Sequence, residues 1–265
     1  MLNRKLRQLK QQARETARGV YMVSLGCPKN LVDSEVMAGT LVSGGIPINL
    51  DAGSARYYLI NTCAFLPSAR SESAEAIAEG IRWKRQRPEV RRLIVAGCLI
   101  QHNDFAQYRE RFPEVDHWSG IDGVPAILRT VAEEDKGVAG EAARPCYLYD
   151  ETTPRLQLTL PHVAYLKIAD GCDNCCAYCS IPHIRGRLRS RSIASAAAEA
   201  RNLIGNGVRE IIVIAQDVTA YGSDRDDGAT LCGLLRELDT LPGDFQVRLL
   251  RSEERRVGKE CRSRW

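Results

Sequence analysis

Apolar residues recur along this chain in two alternating rhythms. Short apolar runs at 20–25, 57–60 and 93–96 read as buried strands. Each is followed by apolar positions three and four residues apart, at 33–42, 69–84 and 105–111, which read as helices. Residues 113–132 supply a turn, a short strand and one more helix. Strand alternating with helix predicts right-handed crossovers and a parallel sheet. The rhythm lapses over 135–161, which is charged, contains Gly and Pro, and reads as a linker. It resumes with strands at 163–169, 210–215 and 245–250 and helices at 192–205 and 231–241. That run is the opening of a TIM-type (β/α) barrel, a fold whose sites lie at the C-terminal ends of its strands.

The fold class is therefore α/β. A parallel-sheet domain spans 19–134, a linker 135–161 and a partial barrel 162–250. Outside them, 1–18 is a basic, polar extension. Residues 251–265 abandon the α/β pattern and read as translated sequencing adaptor, a non-native tail in which Cys261 has no role. Three barrel strands leave an open parallel edge and an uncovered apolar face, so 160–250 is expected to be aggregation-prone or partly ordered.

Charge changes the picture at the ends only. The chain carries a net charge of +4, but 1–18 contribute +5 and 251–265 contribute +3, which leaves the body at −4. Such a body is not a basic nucleic-acid surface, and direct nucleic-acid binding is not expected. No apolar run approaches the roughly 18 residues a membrane helix needs. Ten cysteines without a secretory signal indicate a reducing, cytoplasmic setting, where clustered thiols bind metal more often than they form disulfides.

The cysteines carry the candidate chemistry. Cys172, Cys176 and Cys179 stand at C-x3-C-x2-C spacing, with Tyr178 just before the last. Three thiolates on one loop can hold three irons of a [4Fe-4S] cluster and leave the fourth open to a ligand. Cys175 also makes two abutting C-x2-C pairs, so a strained zinc site and incidental cysteines stand as competing readings. Cys27, Cys63 and Cys98 each end one of the first three predicted strands. In a parallel sheet those ends share one edge, so the three should converge on a second cluster; three separately buried cysteines are the plain alternative. Gln216 and Asp217 follow the second barrel strand and are candidate cofactor-binding residues, with an ordinary polar loop as the alternative. The run Arg185, Arg187, Arg189, Arg191 either attracts an anionic ligand or forms a solvated face. Cys146 has no partner at ligand spacing, and Cys232 reads as a core residue of its helix.

The spacing with Tyr178 resembles the radical S-adenosylmethionine (SAM) superfamily. Further stretches narrow the resemblance: Ser24-Leu25-Gly26-Cys27-Pro28-Lys29-Asn30, Asn61-Thr62-Cys63, Ala96-Gly97-Cys98-Leu99, and Ala215-Gln216-Asp217 with Tyr221-Gly222. Together they are similar to the methylthiotransferase family over nearly all of 20–250. Gly-Cys-Pro-Lys-Asn resembles the branch that modifies an aspartate of a small-subunit ribosomal protein (the twelfth); the tRNA adenosine branch usually shows Gly-Cys-Gln-Met-Asn there. The resemblance implies two [4Fe-4S] clusters, one on Cys172, Cys176 and Cys179 and an auxiliary one on Cys27, Cys63 and Cys98. It implies SAM as both radical source and methyl donor, with Tyr178, Gln216 and Asp217 as cofactor-binding positions. A 5′-deoxyadenosyl radical would take a hydrogen from the aspartate β-carbon, and the auxiliary cluster would carry the methylthio group. It implies an external electron donor and a sulfur source as partners. Cys175 departs from the family, which commonly has a basic or polar residue there. The tRNA-modifying activity and a non-catalytic zinc or iron–sulfur module are the alternative functions.

Overall fold

A computed structural model of the chain describes residues 19–134, 136–140, 144–174 and 176–250. The extension 1–18, the tail 251–265 with Cys261, and Cys175 lie outside the described residues. The chain separates into two compact units, Met1–Pro145 with Pro154–Leu156, and Cys146–Thr153 with Gln157–Trp265.

The first unit contains a six-stranded sheet, every neighbouring pair of which is parallel. Its strands are β1 (Val20–Ser24), β2 (Ile48–Asn49), β3 (Tyr57–Thr62), β4 (Arg92–Gly97), β5 (His117–Ser119) and β6 (Gly137–Ala139), in the order β2-β1-β3-β4-β5-β6. Every residue of β3 is buried. That is the pattern of a strand covered on both faces, and it explains why 57–60 is an unbroken apolar run. The helices are α1 (Pro28–Ser43), α2 (Pro67–Arg85), α3 (Phe105–Arg111) and α4 (Ile127–Ala132). Tyr58 stacks edgewise on Tyr21, with ring centroids 5.0 Å apart, and meets Trp83 of α2 at 5.2 Å.

Two elements differ from the sequence pattern for identifiable reasons. Helix α1 begins five residues before its apolar spacing does, because Pro28 pre-forms its first turn while Lys29 and Asn30 are buried although polar. Residues 137–139, within the segment read as linker, form β6; three residues with an exposed first glycine are too few to show a period.

The second unit contains three parallel strands in the order β11-β10-β7, namely β7 (Val163–Lys167), β10 (Glu210–Ile214) and β11 (Gln246–Leu249). A short antiparallel pair, β8 (Ala169–Asp170) with β9 (Arg189–Ser190), closes the segment that holds the cysteine loop. The helices here are α5 (Ile181–Ile184), α6 (Ile193–Gly205) and α7 (Leu231–Asp239). Ser192 caps α6, its Oγ accepting from Ser195 N at 3.1 Å, and Thr230 caps α7 in the same way through Gly233 N. Leu166, Ile211, Val213, Ala196, Ala200, Leu234 and Leu238 form the core between strands and helices. Cys232 does not join it: it is exposed, because α7 turns Leu234 and Leu238 inward instead. No helix among the described residues is long and apolar enough to cross a membrane.

Candidate metal centres

Cys27, Cys63 and Cys98 follow β1, β3 and β4, three neighbouring parallel strands, and so stand at one edge of the sheet. The register pairs Ser24 with Asn61 and Thr62 with Gly97, which aligns the strand ends within a residue or two. Cys27 is the N-cap of α1, where unpaired N–H groups and the helix dipole favour a negative group such as a thiolate. Gly26 has φ +88°, and a Cβ on it would stand 2.5 Å from Cys63 Cβ, so only glycine lets these two strand ends approach. Ser73 Oγ donates to Cys63 O at 2.8 Å and accepts from Cys63 N at 3.2 Å, fixing the backbone of the second cysteine. Cys98 Sγ lies 3.8 Å from Oδ1 of the buried Asn30.

Among the described residues, no three His, Cys, Asp or Glu side chains gather as the ligands of one metal ion. A four-iron cluster sets a different requirement. Each thiolate binds its own iron, so the sulfurs are held apart by the width of the cluster. Three thiols on adjacent strand ends, one of them at a helix N-terminus, suit that requirement.

The second cysteine set lies on the loop after β8. Cys172 is buried, Cys176 and Cys179 are half-buried, and Tyr178 is 81% exposed. Cys172 N donates to Gly186 O (3.1 Å), and Cys179 N donates to Cys176 O (3.0 Å). Behind Cys172 sits Asp170, only 1% exposed. Its Oδ2 accepts from Lys167 Nζ and from Arg185 Nη1, each at 3.1 Å, and its Oδ1 accepts from Gly171 N at 2.9 Å and Gln216 Nε2 at 2.7 Å. Burial alone would raise this carboxyl; Lys167, Arg185 and Arg189, together with the Gln216 amide, override it and hold Asp170 well below the usual carboxylate range.

Gln216 and Asp217 both reach this loop, Gln216 through Asp170 and Asp217 through Asn174, whose Nδ2 donates to Asp217 Oδ2 at 3.1 Å. The arginine run is not a solvated face throughout. Arg185 and Arg191 are buried, Arg185 against Asp170 and Arg191 in an ion pair with Glu199, with its guanidinium 4.6 Å from the Tyr149 ring centroid. Only Arg187 of the four is exposed.

Asp170, Lys167 and Asn30 escaped the pattern reading. A signal for the first two was present: Lys167 and Asp170 stand three residues apart on either side of the apolar Ile168 and Ala169, and opposite charges buried so close must pair. Asn30 stood out only within the Gly-Cys-Pro-Lys-Asn resemblance, since a polar residue in the first turn of a helix is ordinarily solvated.

Comparison with known proteins agrees with this architecture. Residues 19–120 match the model of Uncharacterized protein family UPF0004. The ribosomal protein uS12 methylthiotransferase RimO of Syntrophotalea carbinolica is 46% identical over 235 residues, 88% of this chain and 51% of that protein. The proteins of the same name from Trichlorobacter lovleyi and Syntrophus aciditrophicus are 44% identical over 233 residues and 46% over 242, covering 87% and 89% of this chain and 51% and 52% of theirs. Among solved structures, a radical S-adenosylmethionine methyltransferase, TsrM, from Kitasatospora setae with cobalamin and [4Fe-4S] cluster bound aligns with TM-score 0.55 at 14% identity, over 84% of this chain and 52% of that one, a likeness of fold alone. The chain spans about half the length of the curated relatives it matches, and over the part it spans it is similar to proteins named ribosomal protein uS12 methylthiotransferase RimO.

Proposed function

We propose that this chain carries the two cluster-holding parts of a radical SAM methylthiotransferase that acts on the β-carbon of an aspartate in ribosomal protein uS12. Cys27, Cys63 and Cys98 would hold one [4Fe-4S] cluster, and Cys172, Cys176 and Cys179 the other. The observation that carries this reading is the placement of three cysteines at the ends of adjacent parallel strands, in a chain that also bears a C-x3-C-x2-C loop. When bound, the clusters and SAM supply one-electron chemistry able to open an unactivated C–H bond, and the methylthio group that replaces its hydrogen.

The chain's own residues hold and shield. The N-terminus of α1 favours the charge of a Cys27 thiolate. Gly26 lets the Cys27 and Cys63 ends approach, and Ser73 fixes the backbone of Cys63. Tyr178, exposed beside Cys179, would contact the SAM, and the Gln216-Asp217 turn flanks the same loop. The Gly-Cys-Pro-Lys-Asn stretch, the negative body and the uS12 relatives all favour the ribosomal-protein substrate over tRNA. An external reductant and a sulfur source complete the system, in the cytoplasm.

The test is iron, sulfide and zinc per chain after anaerobic reconstitution, followed by SAM cleavage and methylthiolation of uS12 by a full-length relative carrying these residues. About eight irons, as two four-iron clusters require, with uS12 modified and tRNA untouched, is the expected result. One zinc without iron would overturn it.

A further inference from the structure

We propose that Gln216 and Asp217 form a two-armed positioning clamp on the Cys172 loop, Gln216 gripping it before the cysteine through buried Asp170 and Asp217 gripping it after the cysteine through Asn174. The inference rests on the cluster reading above for its purpose, but not for its geometry.

Gln216 and Asp217 are neighbours in the bend after β10, yet their side chains reach different partners. Here β10 ends at Ile214, and the dipeptide Gln216-Asp217 spans the five-residue segment from Asp170 to Asn174. The first arm is rigid. Both oxygens of Asp170 are fully engaged: Oδ2 by Lys167 and Arg185, Oδ1 by Gly171 N and Gln216. Gly171 has φ +76°, and a Cβ there would stand 1.9 Å from Arg187 O, so the loop packs closely on the 186–187 backbone and only glycine fits. The second arm bridges two turns. Asp217 Oδ1 accepts from Thr219 N (3.0 Å) and Thr219 Oγ1 (2.6 Å), which leaves Oδ2 for Asn174. Between the arms, Cys172 N is held by Gly186 O, and Asp173 Oδ1 accepts from Leu188 N at 3.0 Å. Cys172 is thus held on both sides, whereas Cys176 and Cys179 lie beyond the clamp. Groups that orient a metal ligand and its hydrogen bonds govern how firmly the ligand holds.

Amide hydrogen exchange at residues 171–174 tests this in cluster-free full chain, and iron loss to a chelator tests it after reconstitution. Gln216→Ala and Asp217→Ala should each speed exchange of the Gly171 and Cys172 amides by about five- to tenfold, as losing one hydrogen bond of ordinary strength predicts. Each should speed loss of the Cys172 cluster by a similar factor, read by paramagnetic resonance, with the Cys27 cluster unchanged. Asn174→Ala removes an exposed partner and should leave the fold intact. At the 171–174 amides it should match Asp217→Ala, which also loses the Thr219 contacts, with no further effect on those amides when the two are combined. If Gln216→Ala fails to fold, the Asp217/Asn174 pair decides. Unchanged exchange in Asp217→Ala and Asn174→Ala, with folding intact, would overturn the clamp. Faster exchange in a chain that never takes up iron would instead uphold the clamp and overturn the cluster reading.

Discussion

Asn30 and Asn61 lock each other's backbone across the cysteine-bearing edge of the first sheet. Asn61 Nδ2 donates to Asn30 O at 2.8 Å, and Asn30 Nδ2 donates to Thr62 O at 3.2 Å and to Leu25 O at 2.6 Å. Both side chains are completely buried. One asparagine therefore joins the ends of β1 and β3, the strands that deliver Cys27 and Cys63. Asn30→Ala strands buried carbonyls, each costing about 1–3 kcal/mol. We expect the first unit to lose about 2–4 kcal/mol in denaturant unfolding, and iron uptake at Cys27, Cys63 and Cys98 to fall with it. A variant as stable as the parent would show that water replaces the side chain at no cost.

The two cysteine sets should load independently. Cys27→Ala and Cys172→Ala are each expected to lower reconstituted iron from about eight to about four per chain, and the double variant to bind almost none. Loss of all iron from a single variant would mean that one cluster is built from both sets.

Asp170→Asn should be severely destabilising, because it leaves Lys167 and Arg185 buried beside each other with no anion. Breaking a buried pair in this way costs about 3–5 kcal/mol. The sign with pH follows from the depressed carboxyl. A carboxylate held below its unfolded value, about 3.9, contributes its stability above that value and loses it as pH falls through the folded one. Unfolding at pH 7 should show the full gap between parent and variant, and the gap should shrink in strong acid. Equal midpoints at pH 7 would remove Asp170 from the centre of the site.

Alkali should act through Tyr58. Burial, with Glu79 and Tyr21 adding to it, pushes this phenol up to about 12. Its neutral form is the one the fold accepts, so its contribution is complete below the unfolded value of about 10 and drains as pH rises toward the folded one. Two units correspond to about 2–3 kcal/mol. Tyr58→Phe should lessen the loss of stability between about pH 10 and 12 without changing it at neutrality, and the remainder should follow Tyr221, which burial also pushes up to about 12. An unchanged slope in that window would show that the phenol is not the group responsible.

Much of the architecture was legible along the chain. Apolar runs located β1, β3, β4, β7 and β10 to within about two residues, as strands with mostly buried side chains do, and β11 by the alternation of Val247 and Leu249 with exposed Gln246 and Arg248. Of the elements of two or three residues, β5 was read only as a short strand somewhere in 113–132, and β2, β6, β8 and β9 were not legible, since no period fits in so short a span. The buried charges were only half legible. Alternating arginines look alike in sequence, and whether one points at Asp170 or at water depends on a turn that the spacing does not specify.

The sequence by itself determined the α/β order, the strand-end positions of Cys27, Cys63 and Cys98, and the C-x3-C-x2-C spacing, because periodicity and spacing are properties of neighbouring residues. The tertiary structure alone decided that β1, β3 and β4 are adjacent, that Asn30 and Asn61 bind one another 31 residues apart, and that Gln216 closes on Asp170 46 residues away. Those contacts form only when desolvation forces buried polar groups to find partners, and the nearest partner in space is seldom the nearest along the chain.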